Sequence, residues 1–149
     1  MIKEKLLDLP ILYLSRYIIT TRGTYYKLLQ ETRDKKQWED WILYMLNGIE
    51  QTATETVLVI KEIKKLMQSY KDEIRSNAPK MYSQDLINNL FRHPYTKIGL
   101  LERELGVSRI TATKYLERLC QMQLLNKIKL GRYNYYINYP LVKLLSGNV

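Results

Sequence analysis

Residues that bind metals or form covalent cross-links are scarce in this chain of 149 residues. It has one cysteine, Cys120, and one histidine, His93. A single cysteine excludes an internal disulfide and a cysteine-based metal cluster, and a single histidine excludes a site built from several histidines. The six glycines are scattered, at positions 23, 48, 99, 106, 131 and 147, so they form no glycine-rich phosphate loop. We therefore expect no cofactor and no metal.

Long apolar runs are absent as well. No stretch approaches the roughly 20 apolar residues that a bilayer-spanning helix needs. The first four residues, Met1-Ile2-Lys3-Glu4, are too charged for the apolar core of a signal peptide. These two observations predict a cytoplasmic protein that makes no membrane contact.

Charge is what the chain has in excess, and most of it lies in the second half. The formal net charge is +9. Residues 81–149 carry 10 Lys and Arg against 4 Asp and Glu, a net charge of +6, whereas residues 1–80 contribute only +3. An uneven basic charge of this kind makes a polyanion a plausible partner, although a basic surface that only keeps the protein in solution fits equally well.

The first half of the chain has a helical pattern throughout. Residues 1–7 resemble the end of a helix, and further helices are predicted over 11–19 and 24–33. Apolar residues then recur every three or four positions from about 37 to 75, which predicts one long helix. Its apolar stripe is interpreted as core or as a dimer seam. Trp38 and Trp41 are expected to anchor it in the core.

A short polar segment ending in proline, Ser76-Asn77-Ala78-Pro79, is the best candidate for a linker. We therefore predict two domains, residues 1–76 and 80–149. A new helix is expected to begin at Ser83 and to end near His93-Pro94.

Residues 100–139 carry the clearest fold signal. Residues 100–105 predict a helix, Gly106-Val107 a turn, and 108–122 a second helix. Two short strands, 125–129 and 133–139, flank Gly131-Arg132. This order of helix, turn, helix and hairpin is typical of a winged helix-turn-helix, whose second helix can enter the major groove of DNA.

The predicted DNA-contacting residues lie on the outer face of that second helix and near the tip of the hairpin. Ser108 is the expected N-cap of the helix. The candidates are Ser108, Arg109, Thr111, Thr113, Lys114, Arg118, Lys129, Arg132 and Tyr133. Winged helices also contact proteins, Ile110 falls near the exposed side, and Glu102, Glu104 and Glu117 place negative charge close to the proposed surface. Double-stranded DNA and a protein partner therefore both remain open, with DNA the leading hypothesis.

Two sets of segments in this chain resemble the Fic-domain family. The first set resembles the part of Fic proteins that follows their active-site motif: residues 9–18 (LPILYLSRYI), 25–29 (YYKLL) and 38–42 (WEDWI). The second resembles the winged-helix extension of that family: residues 93–98 (HPYTKI), 105–109 (LGVSR), 111–116 (TATKYL) and 134–138 (NYYIN). The resemblance implies a mainly α fold, a helical segment of Fic type followed by a winged helix-turn-helix with a small β-hairpin.

Fic proteins commonly transfer AMP from ATP to a hydroxyl group of a target protein, using a His-Pro-Phe-x-Asp/Glu-Gly-Asn-Gly-Arg signature. This chain lacks the signature, since its one His-Pro pair, His93-Pro94, is followed by Tyr95-Thr96-Lys97. No catalytic residue can be assigned, and we expect no AMP transfer by this chain alone. The resemblance implies that the signature would precede Met1, in a split, truncated or trimmed protein. The expected partners are then a second copy of the chain or a separate N-terminal Fic-type piece.

Overall fold

The structure is a computed structural model that describes residues 13–36 and 38–147. The helix end predicted over residues 1–7 lies outside the described residues. The described part is mainly helical with one small sheet. Its elements are α1 Ser15–Thr20, α2 Arg22–Lys35, α3 Glu39–Asn77, a 3-10 turn Pro79–Met81, α4 Gln84–Arg92, β1 Tyr95–Thr96, α5 Ile98–Leu105, α6 Arg109–Gln121, β2 Asn126–Leu130, β3 Tyr133–Ile137 and α7 Tyr139–Ser146. The predicted fold class, helical with a small β-hairpin, is confirmed.

The chain divides into two compact units, Met1–Ile60 and Lys61–Val149. In the first unit, the packing centre is Tyr44, which is buried and lies with its ring centroid 5.1 Å from that of Tyr17. The Tyr44 hydroxyl also hydrogen-bonds to Thr21 Oγ1 at 2.7 Å. Gly48 is required at this contact because a Cβ there would lie 2.6 Å from the Tyr17 ring. The lack of a side chain at position 48 on α3 therefore lets α1, which carries Tyr17, approach closely.

Trp38 does not occupy the position that the sequence predicted for it. Its side chain is 59% exposed, so the expectation that it anchors the long helix in the core is wrong. Trp41 is half-buried and packs against Tyr25, with ring centroids 5.2 Å apart. The difference arises because Trp38 precedes α3, which begins at Glu39, and so does not share the inward face of Trp41.

The second unit has one hydrophobic core to which most of its helices contribute. The core includes Tyr70 and Ile74 from the last turns of α3, Leu90 from α4, Leu116 from α6 and Tyr136 from β3. Each of these side chains is at most 2% exposed. The last turns of the long helix are therefore part of this core rather than a separate stalk.

This core explains why the chain is not divided into its two units at the predicted linker. The sequence predicted a boundary at 77–79, whereas the compact units divide between Ile60 and Lys61. Ile74 before this segment and Met81 after it belong to the same core cluster. The Ala78 amide also donates to the Ile74 carbonyl at 2.9 Å, which continues the helical path. The segment is thus a corner inside one core.

The sheet has three antiparallel strands in the order β1-β3-β2. The hairpin of β2 and β3 pairs Lys129 with Asn134 and Leu130 with Tyr133. The two-residue strand β1 adds Tyr95 opposite Ile137. Neither β1 nor the last helix, α7, was predicted from the sequence.

Candidate nucleic-acid interface

The turn before α6 is set by two residues with different conformational roles. Gly106 ends α5 in the left-handed conformation, with φ of 64°, which a residue without a Cβ adopts at little cost. Ser108 then caps α6, since its Oγ accepts from the Thr111 amide at 3.2 Å. Both roles were predicted from the sequence and are confirmed. They fix where α6 begins and leave its first turn on the surface.

One side of α6 packs into the hydrophobic core, and the opposite side is exposed to solvent. Ala112, Leu116 and Leu119 are fully buried. Arg109 and Lys114 are exposed on the opposite side, together with Ile110, whose side chain is 70% exposed. A helix with a basic outer face and one isolated apolar residue is therefore presented to the surroundings.

The hairpin tip lies beside the start of α6. Gly131 takes a positive φ of 59° at the turn, and Arg132 and Tyr133 follow it on the surface, with Tyr133 66% exposed. The ammonium of Lys97, which precedes α5, lies 5.6 Å from the centroid of the Tyr133 ring and 4.2 Å from that of Tyr135. Cation–π attraction of this kind holds a positive charge next to the hairpin.

A cavity of about 360 Å³ opens between these elements, and we call it the hairpin cavity. Its lining consists of Lys97, Ile98, Gly99, Leu100, Arg109, Arg132, Tyr133 and Asn134. Three of these eight lining residues are cationic, and none of the eight is acidic. Of the nine predicted contact residues, Arg109, Arg132 and Tyr133 are brought together here.

Two other predicted residues, Lys114 and Arg118, line a different cavity of about 450 Å³, which we call the corner cavity. Its lining consists of Asn77, Ala78, Pro79, Lys80, Met81, Lys114, Tyr115 and Arg118. Arg118 is already engaged, because it donates to the Asn77 carbonyl at 3.3 Å and to Gln121 Oε1 at 3.2 Å. The outer face of α6 therefore has cations toward both the hairpin and the corner.

The four remaining predicted residues line neither the hairpin cavity nor the corner cavity. Lys129 is exposed on β2 but lines neither cavity. The Thr113 hydroxyl donates to the Arg109 carbonyl at 2.8 Å, and the hydroxyl groups of Thr111 and Ser108 lie 3.0 Å apart. These three hydroxyl groups therefore take part in capping and in backbone contacts on α6, and each can still accept a further hydrogen bond.

Glu117, an acidic residue of α6 itself, has two hydrogen-bond donors within the fold. The Glu117 carboxylate accepts from Lys127 Nζ at 2.6 Å and from the Tyr136 hydroxyl at 3.0 Å. The hydrogen bond from Lys127 and then that from Tyr136 outweigh burial, so the pKa of Glu117 lies below its usual value. Its negative charge is paired with Lys127 in a partly exposed ion pair.

Lys97 is the functional candidate that sequence reasoning missed. Its interaction with the Tyr135 hydroxyl, the largest cause, raises its pKa above the usual value. The alternation of Tyr133 and Tyr135 on β3 predicts that both rings share one face of the hairpin. Their meeting with Lys97, however, depends on the tertiary packing of the loop before α5, which has no local sequence signal.

Cys120, on the inner side of α6, is half-buried. Burial, with a smaller contribution from Glu117, raises the pKa of its thiol, which disfavours the reactive thiolate. Within residues 13–36 and 38–147, no cluster of three or more His, Cys, Asp or Glu side chains could hold a metal ion. Within those same ranges, every helix is too short or too polar to cross a bilayer.

Comparison with known protein families matches the second half of the chain to a family of Fic-type proteins. The model of the family described as "Protein adenylyltransferase SoFic-like, C-terminal domain" matches residues 66–141, just over half of the chain. The matched region runs from the last turns of α3 to the start of α7. It therefore includes α6, the hairpin and the lining residues of both cavities.

Proposed function

Because the chain belongs to the family of SoFic-like protein adenylyltransferase C-terminal domains, we propose that it is a non-catalytic accessory part of a Fic-type protein. Its unit Lys61–Val149 is a winged helix-turn-helix that binds double-stranded DNA. In this proposal α6 is the reading helix and the β2–β3 hairpin is the wing.

The observation that carries the proposal is the convergence of cations in the hairpin cavity. Lys97, Arg109 and Arg132 come from three separate parts of the chain and line one concave surface. Cations clustered in this way attract phosphates and release the counterions condensed on DNA. Tyr133, beside them, adds a hydroxyl that can donate to a phosphate oxygen.

The outer face of α6 suits the major groove. Arg109 and Lys114 supply donors for guanine or phosphate, and Ile110 supplies an apolar contact for a thymine methyl group. The exposed isoleucine, awkward for a solvated helix, thus has a role in this interpretation.

The test is binding of a labelled duplex to the full chain, measured by fluorescence anisotropy at about 50 and 200 mM salt. We expect affinity to fall steeply with salt. Arg109→Ala combined with Arg132→Ala should make the slope of log K against log salt less steep by about 2, roughly one for each cation removed. The matched control, Lys61→Ala with Lys64→Ala, removes two exposed charges from α3 and should leave the slope nearly unchanged. Absence of binding at low salt, or equal effects of the two pairs, contradicts the proposal.

A second function is favoured by apolar exposure in the unit that ends at Ile60. Ile42, Leu46, Leu58 and Ile60 on α3 are each more than 40% exposed. Exposed apolar surface of this extent usually marks a protein contact. In this alternative, the chain is part of a split or truncated protein adenylyltransferase, and the winged helix mediates dimerisation or contact with a target protein.

The alternative is tested by mixing the full chain with the polypeptide encoded immediately upstream of it. If that polypeptide carries the His-Pro-Phe signature, the mixture should bind as a complex and transfer AMP from ATP, whereas this chain alone should not. An upstream reading frame without the signature, or a mixture that neither associates nor transfers AMP, counts against this function.

A further inference from the structure

The corner cavity combines three cations with an apolar floor. Lys80, Lys114 and Arg118 are exposed at its rim, and none of the residues lining it is acidic. Its volume of about 450 Å³ lies within the range of known ligand-binding pockets. The cavity is formed entirely by residues of the unit Lys61–Val149.

The floor of the cavity is continuous with the hydrophobic core. Met81 is buried in the core cluster, and Ala78 and Tyr115 pack against that cluster as half-buried residues. The 3-10 turn Pro79–Met81 holds the first part of this floor in place. An apolar side chain seated here would be removed from water by contact with these residues.

One rim cation is held in a fixed direction. Arg118 donates through Nη2 to the Asn77 carbonyl at 3.3 Å and through Nη1 to Gln121 Oε1 at 3.2 Å. Because a guanidinium has five N–H donors, donors remain for a carboxylate. Lys80 and Lys114, with flexible stems, can adjust to the same ligand.

We propose that the corner cavity binds an acidic segment of a partner protein, with one bulky apolar side chain on the floor and carboxylates at the three cations. A DNA backbone would satisfy the cations but offers no apolar side chain for the floor, so the mixed lining favours a peptide. Lys114 also lies on the DNA-facing side of α6. A bound acidic segment therefore competes with DNA, and this competition alone rests on the proposed function.

The probe is a fluorescein-labelled peptide of Asp and Glu residues with one central Phe, titrated with the full chain. Two matched peptides replace the Phe by Ser, or the acidic residues by Asn and Gln. We expect both replacements to weaken binding. Lys80→Ala should weaken it about three- to fivefold, the scale of one exposed ion pair. Lys129→Ala, which removes an exposed cation outside the cavity, should leave the Kd within about twofold.

Competition is measured separately, by adding the unlabelled acidic peptide to the labelled duplex. Lys80→Ala should leave duplex affinity within about twofold and reduce displacement by the peptide. The proposal is overturned if the acidic peptide does not bind, or if it binds equally to the Lys80→Ala chain. It is also overturned if Lys80→Ala weakens the duplex instead, since the cavity would then contact the DNA backbone. Failure of DNA binding would leave the peptide titration readable.

Discussion

At the scale of single residues, Asn138 joins three helices of the C-terminal unit through one side chain. Its Oδ1 accepts from the Leu141 amide at 3.1 Å, and its Nδ2 donates to the Leu90 carbonyl at 3.4 Å. The Oδ1 also lies 2.9 Å from the Tyr70 hydroxyl, whose single proton is shared with the Leu124 carbonyl at 2.6 Å. Burial raises the pKa of Tyr70 to about 12, so its hydroxyl remains a donor. Asn138 is thus both the N-cap of α7 and a buried cross-link.

Asn138→Ala should lower the free energy of unfolding of this unit by about 2–3 kcal/mol. The change removes the cap and leaves buried polar groups without partners. Urea denaturation followed by circular dichroism measures the effect. Asn88→Ala, at an exposed position on α4, is the matched control and should change stability by less than about 0.5 kcal/mol. Equal effects at the two positions would contradict the role assigned to Asn138.

The lowered pKa of Glu117 has a consequence for acid stability. A carboxyl group whose pKa is lower in the folded than in the unfolded state stabilises the fold at pH values above its ordinary pKa of 4.5. That contribution disappears as the pH falls through the folded-state pKa. Glu117→Gln should therefore make the loss of stability below about pH 4.5 shallower. It should cost less than about 1 kcal/mol at neutral pH, because the ion pair with Lys127 is partly exposed.

Urea midpoints at several pH values between neutral and about 3 would measure this dependence. Glu73→Gln, on α3, controls for the loss of one carboxylate. An acid limb with the same slope in Glu117→Gln and in the unmodified chain would refute the prediction.

At the scale of elements, α5 contains its own matched pair of glycines. Gly106 ends the helix with φ of 64°, whereas Gly99 lies within it, and an added Cβ would meet no atom within 4 Å at either position. Space is therefore equal at both positions, and only the backbone conformation differs.

Gly106→Ala should destabilise the unit by about 1 kcal/mol, because alanine is strained in the left-handed conformation. Gly99→Ala should stabilise it by up to about 1 kcal/mol through its helix propensity. Thermal unfolding of both variants compares the signs directly. The same sign for both would mean that the turn before α6 does not depend on its conformation.

Prediction from sequence worked best for elements with local signals. The apolar spacing of α6, together with Ser108 and Gly106, defined that helix to within one residue at each end. β1 was missed because two residues carry no periodicity, and its strand character comes from pairing Tyr95 with Ile137. α7 was missed because Tyr139, its first residue, was interpreted as the end of the preceding strand.

At the scale of the whole molecule, the apolar residues of α3 that the structure describes differ in exposure along the helix. Tyr70 and Ile74 are buried in the core, whereas Ile42 is 51% exposed and Ile60 is 42% exposed. Because Leu46 lies one turn from Ile42 and is 54% exposed, these two side chains form one exposed apolar patch. An uncovered apolar face of this kind favours association with a second copy or another chain.

We expect self-association that depends on concentration, and Ile42→Ser combined with Leu46→Ser should weaken it at least about tenfold by removing apolar contact area. Sedimentation velocity over about two decades of concentration measures the equilibrium. Leu145→Ser, which removes a comparably exposed leucine from α7, is the control and should have little effect. A monomer throughout that range would rule out self-association through this face.

The sequence by itself determined the helical class, the order of the helices α4, α5 and α6 with the hairpin after them, the excess of basic charge and the Fic resemblance. These follow from composition, periodicity and short-range capping, which act within a few residues. Only the tertiary structure decided that Lys97 lines one cavity with Arg109 and Arg132, that Glu117 forms an ion pair with Lys127, and that Lys114 shares a cavity with Lys80. These residues belong to different helices, loops and strands, and packing of the core rather than any local preference brings them together.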